Sequence, residues 1–199
     1  MPRVILGYIR AIDTMNYFIG RFAMYLLFAL VGVLLWSSVS KTLFTSSHWT
    51  LETAQFVMVA YYVLGGPYSL QLGSNVRMDL FYGGWSVRQR AWFDAFTVLF
   101  LMFYLGVLLY GGINSFAYSL GRPYNATTYE FLSELLSTLF SQGFDAAGDK
   151  LGFMERSNSP WRPYLWPVKS LLCIGVFLML LQSLAEFFRD IGRIRGEAL

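Results

Sequence analysis

The sequence predicts an all-α integral membrane protein with four transmembrane helices and both termini cytoplasmic. An N-terminal interfacial helix and a long periplasmic segment containing a short amphipathic helix complete the expected architecture. Three observations carry that expectation. Hydrophobic residues make up 56% of the 199 and charged ones only 14%, a balance unlike that of soluble domains. Four stretches are each apolar over the roughly 20 residues that a helix needs to cross a ~30 Å hydrocarbon layer. Basic residues gather at alternate ends of those stretches, which orients the chain by the positive-inside rule. The whole of 1–199 reads as one membrane domain. Its net charge of +3 belongs to that orientation signal and gives no reason to expect nucleic acid as a partner.

Residues 1–20 open the chain. Arg3, Gly7, Arg10, Asp13 or Thr14, and Arg21 recur every three to four residues and leave an apolar face of Ile5, Ile9, Ile12, Met15 and Ile19. A helix lying in the membrane surface is patterned this way, and a cytoplasmic extension of the first span would be patterned so too. The first span occupies 22–43. It is free of charge over 22–40 and has no small-residue cleavage site behind it, so a retained helix is expected rather than a removed signal peptide. The second span, 52–72, carries Gly65, Gly66 and Pro67, which should kink or loosen it.

The connecting loop 73–90 holds Arg77, Asp79, Arg88 and Arg90. Burying them would cost about 2.5 to 3.5 kcal/mol each, so they lie outside the hydrocarbon. The side follows from counting basic residues. Arg3, Arg10 and Arg21 precede the first span, Arg77, Arg88 and Arg90 join the second and third, and Arg189, Arg193 and Arg195 follow the fourth; the short connection between the first two offers only Lys41, at the end of the first span. Both termini and loop 73–90 are therefore placed in the cytoplasm. Trp49, Trp161 and Trp166 then mark the outer interface, and Trp85 and Trp92 the inner one.

The third span, 91–119, contains Gly111, Gly112 and Asn114, small and polar groups that favour a helix neighbour over lipid. In the periplasmic segment 120–163, Thr127 followed by Glu130 fits a capping box. Phe131, Leu132, Leu135, Leu136, Leu139 and Phe140 form one apolar face of a helix over 127–140, too short to span and suited either to covering helix ends or to meeting a partner. The fourth span, 164–188, is followed by a cytoplasmic tail, 189–199.

Reactive chemistry is sparse. A single histidine, His48, excludes bis-histidine haem, and a single cysteine, Cys173, excludes a disulfide within the chain. Metal-ligand spacing, a phosphate-binding loop and a serine nucleophile with an available histidine are all missing, so neither a cofactor nor an enzyme is expected. Lys41, Glu52, Asp94, Lys169 and Glu186 fall at span ends, which leaves mid-bilayer without the ionisable groups a carrier uses. Gln55, Gln71, Asn114 and Gln182 remain inside the spans, where hydrogen bonds between helices would satisfy them. This pattern describes a scaffold.

Particular residues resemble the small membrane subunit, DctQ type, of the tripartite ATP-independent periplasmic (TRAP) transporters. Trp49 and Glu52 resemble the Trp and Glu that open the family's second helix. Gly73, Val76, Arg77, Met78 and Asp79 resemble its G-x-H-V-R-V-D signature, with Asn75 where histidine is common. Arg88, Arg90 and Asp94 are similar to the charged positions that follow, and "SPWRPYLWPVK" at 159–169 with Gln182 resembles the entry to the last helix. An amide at 75 can donate and accept, so a hydrogen-bonding role would survive there and a protonation-dependent one would not.

The resemblance implies a multi-pass protein of the bacterial inner membrane, partnered by a large TRAP membrane subunit and a periplasmic substrate-binding protein. Sodium coupling and elevator movement would belong to the large subunit, and the solute would be an organic acid. Trp49, Glu52, Gly73, Asn75, Arg77, Asp79, Arg88 and Asp94 are the implied subunit-contact positions. Glu130, Glu134, Trp161, Arg162 and Trp166 are candidates for docking the binding protein. An accessory or anchor subunit of another membrane complex, with no part in uptake, is the alternative. Neighbouring genes for a large permease and a secreted binding protein would separate the two.

Overall fold

The computed structural model describes residues 3–44, 47–73 and 84–196. Their helices are α1 (Arg3–Leu43), α2 (Thr50–Gln71), α3 (Val87–Ser119), α4 (Thr128–Gln142), α5 (Phe144–Asp149) and α6 (Trp166–Arg195). The one β pairing among the described residues is an isolated bridge between Arg156 and Tyr164.

Contacts between side chains fix how the long helices lie. Gly20 meets Tyr68, and Ser37 Oγ accepts from Thr50 Oγ1 at 3.2 Å, so α1 and α2 run antiparallel. Val63 meets Gly175 and Gly66 meets Met179, so α2 and α6 run parallel. Gly112 meets Cys173, and Lys169 Nζ donates to Ser115 O at 3.3 Å, so α3 and α6 run antiparallel. The order across the bundle is α1, α2, α6, α3, with α1 and α3 as its edges. That arrangement explains their surfaces. The edge helices expose Phe22, Phe28, Leu35, Phe96, Phe100 and Phe103, whereas α6 buries Gly175, Val176, Leu178, Gln182, Ser183 and Ala185.

Among the described residues, three helices are long and apolar enough to cross a membrane, namely Arg3–Leu43, Arg88–Ser119 and Trp166–Arg195. The second expected span, α2, has the length at 22 residues and falls short in apolarity, because Glu52, Gln55, Gln71, two glycines and a proline dilute it. Its position between α1 and α6 accounts for this, since side chains there meet protein on two sides. Pro67 does not end α2. Proline removes the N–H that would bond the carbonyl four residues earlier, here Val63 O. Gly175 packs against that carbonyl so closely that a Cβ on it would stand 2.8 Å from the oxygen.

Two expected boundaries differ. The interfacial helix expected over 1–20 and the span expected from 22 are one helix of 41 residues. The stripe that buries Ile9, Ile12, Asn16, Gly20 and Ala23 continues from one half to the other. The apolar face assigned to the membrane surface is thus part of a packing face. Tyr8 donates to Leu181 O at 3.0 Å and stacks edge-on against Phe188, both in α6. The third span, expected from 91, begins at Val87. Ser86 and Gln89 form a capping box there, with Gln89 Oε1 accepting from Ser86 N at 2.9 Å. Arg88 and Arg90 are therefore helical.

The same registers show how far each helix reaches. Gly66 lies level with Met179, so α2 ends near the level of residue 184 of α6. Asn16 is paired with Gln182. The first dozen residues of α1, the first dozen of α3 and the last ten of α6 hence project past the Gln71 end of α2, the inner end on the orientation expected from the sequence, by about 15 to 20 Å at 1.5 Å per residue. The tail expected from 189 supplies the last turns of α6, which Gly196 closes in the left-handed conformation at φ 73°.

Candidate partner-contact site

Sequence-predicted site residues fall into an inner and an outer group. Asn75, Arg77 and Asp79 lie outside the described residues. Gly73 follows α2 at φ 61°, a conformation that glycine adopts without steric cost. Arg88 is exposed in the first turn of α3. Asp94 is half-buried and close enough to Asp190 of α6 to act on it electrostatically.

The inner end also holds a network that sequence reasoning divided among three segments. Asn16 Nδ2 donates to Gln182 Oε1 at 2.7 Å, and Gln182 Nε2 donates to Asp13 Oδ1 at 3.2 Å and to Glu186 Oε1 at 3.3 Å. Arg189 bridges the two carboxylates, donating to Asp13 from one nitrogen and to Glu186 from the other. Arg193 holds the buried Asp190 at 2.8 Å. Gln182 is 0% and Asn16 1% exposed, so these amides have exchanged water for each other. Only the pairing of Gln182 with another helix was legible. The i, i+3 spacing of Glu186 with Arg189 and of Asp190 with Arg193 was the available signal for the rest.

At the outer end, Trp49 is exposed and occupies the N-cap position of α2. Glu52 is 6% exposed, its Oε1 accepts from Ser157 Oγ, and its Oε2 has no partner among the described residues. Ser157 belongs to a hairpin-like turn in which Ser157 N donates to Pro163 O at 2.9 Å and Leu165 N donates to Glu155 O at 3.2 Å. Glu155 N also donates to Ser119 O of α3 at 3.0 Å, and the Glu155 carboxylate pairs with Lys169 of α6. Glu52, Glu155 and Lys169 thus tie one short segment to three helices. Trp161 and Arg162 stand exposed at its tip, and Trp166 is exposed at the start of α6. Arg162 takes φ 49°, the one positive value at a non-glycine position among the described residues.

Glu130 and Glu134 lie on α4, apart from that tip. Thr127 and Glu130 make the expected capping box, with Glu130 N donating to Thr127 Oγ1 at 3.4 Å and Thr127 N to Glu130 Oε2 at 3.2 Å. The Thr127 side chain and then its backbone N–H hold the Glu130 carboxyl below its ordinary pKa. Glu134 pairs with Lys150. The apolar face of α4 divides. Phe131, Leu132 and Leu135 pack on Ala117 and Leu120 at the end of α3, whereas Leu136 and Phe140 are exposed. Asn114 accepts from Thr128 Oγ1 at 2.5 Å, pinning α4 to α3 as well.

Long apolar helices, tied together by polar clasps at both ends, have the make-up of a multi-pass membrane protein. The sequence profile of the DctQ component of tripartite ATP-independent periplasmic transporters matches residues 30–193, and the chain belongs to that family. No curated protein and no solved structure matches it. As a family of transporter components it is not a family of enzymes.

Proposed function

We propose that the chain is the small permease subunit of a sodium-coupled TRAP transporter in the bacterial inner membrane. It braces the static scaffold of a large elevator-type subunit and helps to form the docking surface for a substrate-binding protein that delivers an organic acid. The family match over 30–193 carries this reading, and the apolar edges of α1 and α3 give the surface that bracing requires. Helices α1, α2, α3 and α6 are the four spans, with both termini cytoplasmic. Length supports the fourth: the 22 residues of α2 reach about 33 Å, against about 30 Å of hydrocarbon. Sodium symport belongs to the large subunit.

Docking is assigned to the tip of the outer turn. Trp161 and Arg162 project from it, and the left-handed Arg162 is a strained, exposed position of the sort retained for contact. Two measurements test the proposal. Purification of the tagged chain from its native membrane should bring down one much larger membrane subunit; a respiratory or other complex in its place would overturn the assignment. Arg162→Gly should assemble normally, since glycine adopts the same φ freely, while uptake falls severalfold. Unchanged uptake would remove the tip from the docking surface.

A further inference from the structure

Beyond the inner end of α2, helices α3 and α6 run on together with an open groove between them, a cavity of about 360 Å³. Trp92, Phe96 and Leu99 line it from α3, Phe187 and Ile191 from α6, and Arg195 closes its inner end. Its walls are otherwise apolar.

The arginines at this level are unequally used. Arg189 is committed to Asp13 and Glu186, and Arg193 to Asp190. No ion pair or hydrogen bond joins Arg195 or Arg88 to any described residue, and both are exposed. The antiparallel register that sets Asp94 beside Asp190 brings Arg88 level with the end of α6, and Arg88 stands one helical turn before Trp92 on the groove face of α3.

We propose that this groove is a binding site for an anionic phospholipid. An acyl chain lies along Trp92, Phe96, Leu99, Phe187 and Ile191, and the phosphate rests between the guanidinium groups of Arg195 and Arg88. Guanidinium matches phosphate in geometry and charge, tryptophan marks headgroup depth, and basic pockets between helices at the cytoplasmic surface select acidic headgroups. The site rests on the inner ends of α3 and α6 lying at the leaflet surface, and not on which solute the transporter carries.

The full chain, reconstituted in nanodiscs of mixed phosphatidylglycerol and phosphatidylcholine and then released into mild detergent, gives the test by native mass spectrometry. One phosphatidylglycerol should be retained in preference to phosphatidylcholine by roughly thirty-fold, since two cations at about 1 kcal/mol each give that ratio. Arg88→Gln with Arg195→Gln, both at exposed positions, should bring the ratio near one. Leu99→Trp, which fills the groove and keeps both arginines, should lose the bound lipid. Equal retention of the two lipids by the unaltered chain, or a preference that survives the double glutamine variant, would overturn the site. A photocrosslinker at Leu99 that attaches in native membranes to a protein instead of a lipid would overturn it too.

Discussion

Gln182 and Asn16 face each other inside the bundle with almost no exposure, and each is the other's principal hydrogen-bond partner. A buried polar group left without a partner costs about 1 to 3 kcal/mol, whereas removing both partners together is nearly neutral. Gln182→Leu should therefore lower stability by at least that amount in detergent thermal unfolding, and Asn16→Leu added to it should recover the part due to the stranded Asn16 amide, leaving the part due to Asp13 and Glu186. A double variant as damaged as the sum of the singles would show that the pair contributes nothing jointly. Glu130 offers a pH-dependent case. Its carboxyl pKa is lowered by the Thr127 side chain and backbone, so the cap contributes in full above the ordinary glutamate range and is lost as pH falls through the lowered native value. A carbon-13 NMR titration should place the Glu130 midpoint below that of an exposed glutamate, and Thr127→Ala should return it. An unshifted midpoint in the native chain would contradict the cap.

Gly175 brings α6 against the backbone of α2. A Cβ on Gly175 would stand 2.8 Å from Val63 O and 3.0 Å from Val63 C. Those atoms are backbone and have nowhere to move unless the helices part. Gly175→Ala should cost about 1 to 3 kcal/mol in thermal unfolding. Gly111→Ala in α3, where no neighbour lies within 4 Å, should instead be neutral or stabilise by up to about 1 kcal/mol through helix propensity. Equal effects at the two positions would mean that the contact does not hold α2 against α6. The outer loops show the same economy of glycine. Gly121 ends α3 at φ 80° with Arg122 N donating to Ala117 O at 3.1 Å, and Gly152 crosses directly over it.

Across the whole molecule, the antiparallel and parallel registers require Gly84 and Tyr124 to lie at opposite ends of α3. In a chain whose Cys173 is replaced by serine, Tyr124→Cys should react with an impermeant maleimide on intact cells, and Gly84→Cys only after lysis. Labelling of both from one side would exclude the crossing of α3. The network of Asp13, Gln182, Glu186 and Arg189 makes a related demand, because it holds the start of α1 against the end of α6. Arg189→Ala leaves two half-buried carboxylates facing each other and should cost about 1 to 3 kcal/mol, read as loss of folded chain in detergent. Full stability would mean that the two ends are held by apolar contact alone.

The long apolar helices and the capping box at Thr127 were legible because each depends on residues close in sequence. The same holds for the family resemblance, carried by local motifs such as Trp49 with Glu52, although part of the signature lies outside the described residues. What distance along the chain conceals was decided by packing. Residues 1–20 have the periodicity of a surface helix, and only the presence of α6 turns that apolar stripe into a buried one and draws Asp13 to Arg189, 176 positions away. Helix periodicity says which residues share a face. It carries no information about whether lipid, water or another helix will cover that face, since each offers an apolar stripe comparable relief from water, and the choice belongs to the assembled bundle.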